Sequence, residues 1–172
     1  MDEAMRPYRG IRVLDAGQGI AAPYCAMMLA ACGTDVIKLE PAEGDWSRGL
    51  GTAQDGVSVM TVAFNRGKRS VVLDLKSDHG RAAAGKLAAS ADVLIEAFRP
   101  GVAARIGLGP ENAKADAVCL SISGFGQSGP YSERPCTDSV AQAFSGLVAL
   151  NDGADGVPHK VGAFVSDMAT GI

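Results

Sequence analysis

The sequence has no excess of positive charge. Lys and Arg total 16 against 19 Asp and Glu, for a net charge of −3 and a pI of about 5.3. An acidic balance of this kind excludes nonspecific nucleic-acid binding, which needs a basic surface. Paired cysteines are lacking too. Cys25, Cys32, Cys119 and Cys136 lie far apart with no CxxC spacing, so they read as reduced thiols of a cytoplasmic compartment rather than a disulfide framework or a zinc site. Only two histidines occur, His79 and His159, and no His/Cys/carboxylate cluster has metal-ligand spacing, so no metal is expected. No apolar run reaches the length of a membrane span. The start, Met1-Asp2-Glu3, is not a charged-then-apolar leader. What is present is an ordinary globular composition, 47% hydrophobic and 20% charged over 172 residues, long enough to bury a core.

Residues 11–40 organise the chain. Ile11-Arg12-Val13-Leu14-Asp15 reads as a strand, Gly17-Gln18-Gly19 breaks it, and an alanine-rich helix runs from Ile20 to Cys32. Gly33 closes that helix, because a residue with φ > 0 is cheapest as glycine. Asp35 to Glu40 is the next strand. This spacing predicts a right-handed βαβ unit, whose ligands sit at the carboxyl ends of the strands. Gly17, Gly19 and Ala22 fit G-x-G-x-x-A, with Glu40 where a ribose-binding acid would fall. Three readings are open at this point: close helix packing, a nicotinamide or flavin site, or another ligand.

Further along, apolar runs predict strands over 70–75, 92–98, 117–123 and 160–165. Helices are predicted over 57–64, from Ser77 or Asp78 to 90, in a short piece holding Arg105, and over 138–150, capped by Asp138. Strands alternating with helices predict an α/β fold with a mostly parallel sheet. Arg66, Lys68 and Arg69 crowd three positive charges into four residues, which is either an anion site or a solvated face. Residues 166–172 read as the beginning of a helix, which suggests one part of a larger protein or half of an assembly.

Taken together, several segments resemble the class III CoA-transferases. They are Gly10 to Asp15, Ala21-Ala22-Pro23, Gly33 to Glu40, Gly44-Asp45, Asn65 to Ser70, Leu73-Asp74-Leu75, Ala91 to Gly101, Gly124 to Pro130, and Ser166 to Gly171. The resemblance covers nearly the whole chain, in order. It implies a Rossmann-like, mostly parallel sheet with flanking helices that is incomplete relative to the family's large domain. Residues 1–172 would be the N-terminal CoA-binding part, without the second domain and the C-terminal return. It implies coenzyme A or acyl-CoA as substrate rather than a tightly bound cofactor, a carboxylic acid as the other substrate, and a homodimer or a partner subunit. The implied CoA contacts are Gln18, Ala21, Lys38, Arg66, Lys68, Arg69, Ala97, Phe98 and Arg105. The diphosphate and 3′-phosphate of CoA suit guanidinium and ammonium donors.

The implied nucleophile is Asp167. Read from residues alone, it could equally be the N-cap of the helix it begins. Held dry and oriented, a carboxylate can attack a thioester. Where the family's racemase branch carries a histidine ahead of the 138–150 helix, this chain has Thr137. A hydroxyl does not exchange protons near neutral pH as imidazole does, so transfer is favoured over racemisation. Ile20 stands where some transferases carry a glutamine, and Arg134 is the cation near Pro135. These departures bear on the acyl substrate and not on CoA.

Overall fold

The computed structural model describes residues 6–172. The apolar stretch after Gly10 forms β1 (Arg12–Asp15), followed by α1 (Ala21–Ala31) and β2 (Asp35–Glu40). Gly33, at φ +100°, takes the left-handed turn between α1 and β2. A small antiparallel hairpin, β3 (Ala53–Gln54) and β4 (Val57–Ser58), leads into α2 (Val59–Asn65). Then follow β5 (Arg69–Val72), α3 (Asp78–Ser90), β6 (Val93–Glu96), α4 (Val102–Arg105), β7 (Val118–Ser121), α5 (Asp138–Phe144) and α6 (Val165–Thr170).

Among the described residues, five strands form one parallel sheet in the order β5-β2-β1-β6-β7. The chain winds outward from β1 to β5, then crosses back through α3 to lay β6 on the other side of β1. The direction of winding therefore reverses between β1 and β6. A crevice outside the carboxyl ends of these two strands is where open α/β sheets take their ligands.

The inner strands are buried on both faces and largely apolar in their middles, with charged residues placed toward their carboxyl ends: Asp15 of β1, Lys38 and Glu40 of β2 and Glu96 of β6. On one face Leu14, Leu39 and Leu94 pack with Ala84, Ala88 and Leu108. Alanine on α3 lets that helix lie close to the sheet. On the other face Val13, Val36 and Ile95 pack against Ala22 and Ala26 of α1. Burying one such aliphatic side chain contributes roughly 1.5–3 kcal/mol.

The structure revises several expected boundaries. The helix expected over 138–150 stops at Phe144, where Gly146 turns at φ +84°, and a 3-10 turn, Leu147–Leu150, follows. Residues 160–165 do not form a strand. Instead of a strand ladder, the Gln142 side chain holds this segment: Val161 N–H donates to Gln142 Oε1 at 2.8 Å, and Gln142 Nε2 donates to Ala163 O at 3.2 Å. Alternation of apolar residues cannot reveal whether a neighbouring strand exists to pair with.

Candidate active site at the sheet switch point

The turn after β1 is held by buried charge. Asp15, Lys38 and Asp45 are almost completely inaccessible, and the Lys68 side chain is 2% exposed. Asp15 Oδ1 accepts from Gly17 N–H at 3.0 Å. Lys38 Nζ donates to Gly17 O at 2.6 Å and pairs with Asp45 at 2.8 Å. Asp45 in turn accepts from Gly19 N–H at 2.9 Å and Ser47 N–H at 2.8 Å. Lys68 Nζ spreads its three donors over Asp15, Pro23 O and Asn65 Oδ1, at 2.7, 2.7 and 2.9 Å. Burial pushes the Lys68 ammonium down to about 8, with Asp15 acting against the shift. Gly19, at φ +81°, lies under the Trp46 indole, and a Cβ there would come within 2.0 Å of the ring.

Several residues expected to grip phosphate are thus committed elsewhere. The ammonium groups of Lys38 and Lys68 point into the protein. Arg69 begins β5, at the amino end of the sheet, and makes a bidentate pair with Asp35 at 2.7–3.0 Å. Arg66 donates to Ala63 O at 2.9 Å. The stretch 66–69 is compact in sequence, but its side chains leave in different directions and build no cluster. Glu40 is also unavailable as a ribose acceptor. Arg48 forks onto its two oxygens at 2.7 and 2.6 Å, Ser70 Oγ donates at 2.7 Å, and Asp45 N–H donates at 2.9 Å. These donors, Arg48 first, draw the Glu40 carboxyl down to about 2. The dinucleotide reading of the glycine turn loses its acid.

Other expected residues converge. A cavity of about 590 Å3 opens at the carboxyl ends of β1 and β6, lined by Gln18, Ala21, Ala97, Phe98 and Asp167. A second cavity of about 300 Å3 lies against the ends of β2 and β5, lined by Ala16, Leu39, Leu73, Leu75, Lys76 and, again, Gln18 and Phe98. Gln18 and Phe98 therefore stand between the two. Glu96 fixes Phe98 by accepting its backbone N–H at 2.7 Å. Arg105 is exposed at the end of α4 and lines neither cavity. Lys76, just past the strand expected over 70–75, also lines the smaller cavity, and the sequence pattern did not single it out.

Asp167 sits in the first turn of α6, and it is not the cap. Asp138, at the start of α5 and 7% exposed, reaches across to do that: its Oδ1 accepts from Ser166 N–H at 2.8 Å and Asp167 N–H at 3.3 Å. Asp138 thus caps α6 and not its own helix. Gln142, completely buried, donates to Asp138 Oδ2 at 2.5 Å. The half-buried Asp167 carboxyl is raised to about 6, first by burial and then by the neighbouring charge of Asp138. Thr137 occupies the N-cap position of α5 without a capping hydrogen bond, and it lines the larger cavity. Among the described residues there is no group of His, Cys, Asp and Glu that could hold a metal ion, and no helix is long and apolar enough to cross a membrane.

A parallel sheet whose winding reverses between β1 and β6, with helices on both faces, defines an α/β fold of the Rossmann-like kind. The sequence pattern of CoA-transferase family III matches residues 8–172, and the chain belongs to that family. It is 40% identical to succinate–glutarate CoA-transferase of Agrobacterium fabrum, over 96% of this chain and 44% of that protein. It is 38% identical to the beta subunit of succinyl-CoA–L-malate CoA-transferase of Chloroflexus aurantiacus, over 96% and 42%. The crystal structure of a CaiB/BaiF family protein from Brucella suis superposes with a TM-score of 0.89 at 36% identity, covering 96% of this chain and 46% of that one. The chain spans less than half the length of these relatives.

Proposed function

We propose that this chain carries the nucleophile and most of the CoA site of a CoA-transferase, which moves CoA from an acyl-CoA to a carboxylic acid. The observation that carries the reading is Asp167. Its raised carboxyl faces a cavity that meets the strand-end cavity at Gln18 and Phe98. CoA would lay its nucleotide by Leu73 and Lys76, pass Gln18, Ala21, Ala97 and Phe98, and deliver its thioester to Asp167. Lys38 and Lys68 serve by holding the turn rather than by touching phosphate. Arg66, Arg69 and Arg105 are left to contacts beyond the two cavities.

In the reaction the Asp167 carboxylate attacks the thioester carbonyl. The C–S bond breaks, giving an aspartyl–acyl anhydride and CoA thiolate. The thiolate attacks the aspartyl carbonyl, releasing the donor acid as carboxylate and leaving an aspartyl-CoA thioester. The acceptor carboxylate runs the two steps in reverse, and no net proton is consumed. A carboxylate with its basicity raised to about 6 is a better nucleophile than an ordinary one, yet stays ionised near neutral pH. With Thr137 in place of an imidazole, transfer rather than racemisation is the supported chemistry.

The remaining half of the family's length would add a second domain. We propose that turnover needs it, supplied by a homodimer or a separate subunit. One relative is itself called a beta subunit. Free cysteines among the described residues suit a reducing cytoplasm. The test is to incubate the complete assembly with acyl-CoA, trap with hydroxylamine and map the adduct by mass spectrometry. An aspartyl hydroxamate at Asp167 is expected, lost in Asp167→Ala while CoA still binds. An adduct on another residue would overturn the assignment.

A further inference from the structure

Gln142, on α5, has no exposed surface and no part in the transfer steps. Its amide is nonetheless fully engaged. Nε2 donates to Asp138 Oδ2 at 2.5 Å and to Ala163 O at 3.2 Å, and Oε1 accepts from Val161 N–H at 2.8 Å. The partners fix its orientation, because Val161 N–H can only donate while the carboxylate and the carbonyl can only accept. Among the described residues, the backbone of residues 161–163 makes its hydrogen bonds to this amide and to nothing else. That segment leads straight into α6 and Asp167. Asp138, which accepts from Ser166 and Asp167 N–H, is paired with no cation among the described residues, and Gln142 is the one side chain that donates to it. At its other end α6 closes on α1, where a Cβ on Gly171 would lie 2.7 Å from Ala21 O. The set of the helix is therefore decided at its start.

We propose that Gln142 is a positioning residue for the reaction: it holds the start of α6, and with it the Asp167 carboxylate, in line with the thioester. The inference rests on the CoA-transferase reading, with Asp167 as nucleophile, and deepens it. One amide joins the two supports of that nucleophile, the Asp138 carboxylate that receives the helix N–H groups and the segment that delivers the helix. A misplacement of about 1 Å in a reacting group can cost on the order of a hundredfold in rate. No other side chain of the same length does what the amide does. Methionine would leave Asp138 Oδ2, Val161 N–H and Ala163 O without their partner. An ionised glutamate would set its oxygens against Asp138 and Ala163 O, all of them acceptors. The proposed CoA contacts lie at the strand ends and include no residue of α5 or of 161–163, so binding and chemistry separate.

The test uses the complete assembly and two measurements: the calorimetric affinity for CoA, and the single-turnover rate at which acyl-CoA gives the hydroxylamine-trapped adduct at Asp167. Gln142→Met should lower that rate roughly tenfold to a hundredfold and leave the CoA affinity unchanged. Gln142→Glu adds a readout that a purely structural role would not move. The titratable groups on the elements around the amide are Asp138 of α5, Asp167 of α6 and Lys160, whose ammonium turns out to Ser139 Oγ at 3.3 Å. The introduced carboxyl and Asp138 would have to share a proton. The adduct rate should then fall as pH rises and that proton is lost, over a range where the wild-type rate climbs to a plateau. This variant keeps the side-chain volume and gives its reading even if Gln142→Met does not fold. A wild-type rate in Gln142→Met, a wild-type pH profile in Gln142→Glu, or a rate and a CoA affinity that fall together would overturn the inference. If wild type itself forms no adduct at Asp167, the CoA-transferase reading falls first. An adduct at Asp167 that is indifferent to residue 142 removes only the role of Gln142.

Discussion

At the scale of single residues, the site turns on two aspartates 29 positions apart. Asp138 orients Asp167 through backbone N–H groups and raises its carboxyl through charge. Asp138→Asn keeps an oxygen to accept from Ser166 but removes the charge. With Asp167 as the proposed nucleophile, the acid limb of the rate–pH profile is expected near 6; in Asp138→Asn it should move to lower pH, and the turnover rate should fall with the basicity of that carboxylate. A pH–rate series on the full assembly checks this, and an unmoved limb would count against it. Stability should show the same coupling. Because the folded-state value is raised above the ordinary 3.8, the folded protein holds the Asp167 proton where the unfolded chain has lost it. Stability on this account falls as pH rises from about 4 through about 6. Asp167→Asn removes that dependence and should stabilise the protein at neutral pH by about 1 kcal/mol, once solvent screening of a half-buried group is allowed for. Urea midpoints of both proteins at about pH 4 and 7 give the comparison.

At the scale of elements, the glycine turn after β1 depends on four charges from four segments. Asp15 ends β1, Lys38 comes from β2, Asp45 from the following loop and Lys68 from just before β5. Lys68→Ala would leave Asp15, completely buried, without its nearest cation. Removing one partner of a buried pair costs about 3–5 kcal/mol, so this variant should lose that much in a urea titration. Weaker CoA binding without loss of stability would instead return Lys68 to the phosphate site. The βαβ unit itself was legible, because apolar strands, an alanine-rich helix and Gly33 each have a local cause. The direction of Lys68 was not. Three residues of sequence, 66–68, hold one outward arginine and one inward lysine, and only the position of Asp15 decides between them. Likewise Asp138 reads as the cap of the helix it begins. That it caps α6 depends on a contact across 28 residues, which no local pattern records.

At the scale of the whole molecule, one flank of the sheet is bare. β7 is exposed along its length, with Val118 at 64% and Leu120 at 37%, and nearby α5 shows Phe144 at 59%. Apolar surface of this kind drives association, so sedimentation of this chain should show a dimer or larger species, or a stable complex with a supplied partner subunit. A clean monomer at micromolar concentration would count against the partnered assembly.

The indole laid across Gly19 has a consequence of another sort. Trp46 is the only tryptophan of the chain, it is 54% exposed, and it sits on the wall of the cavity that holds Asp167. All indole emission from this chain therefore originates at the mouth of that cavity, which makes the chain its own optical gauge of occupancy. Adding CoA thioester should displace water from the ring and move the emission to shorter wavelength, with a saturation curve that gives the affinity directly and no label required. An emission maximum unchanged at saturating ligand would mean that the bound molecule runs along some other wall.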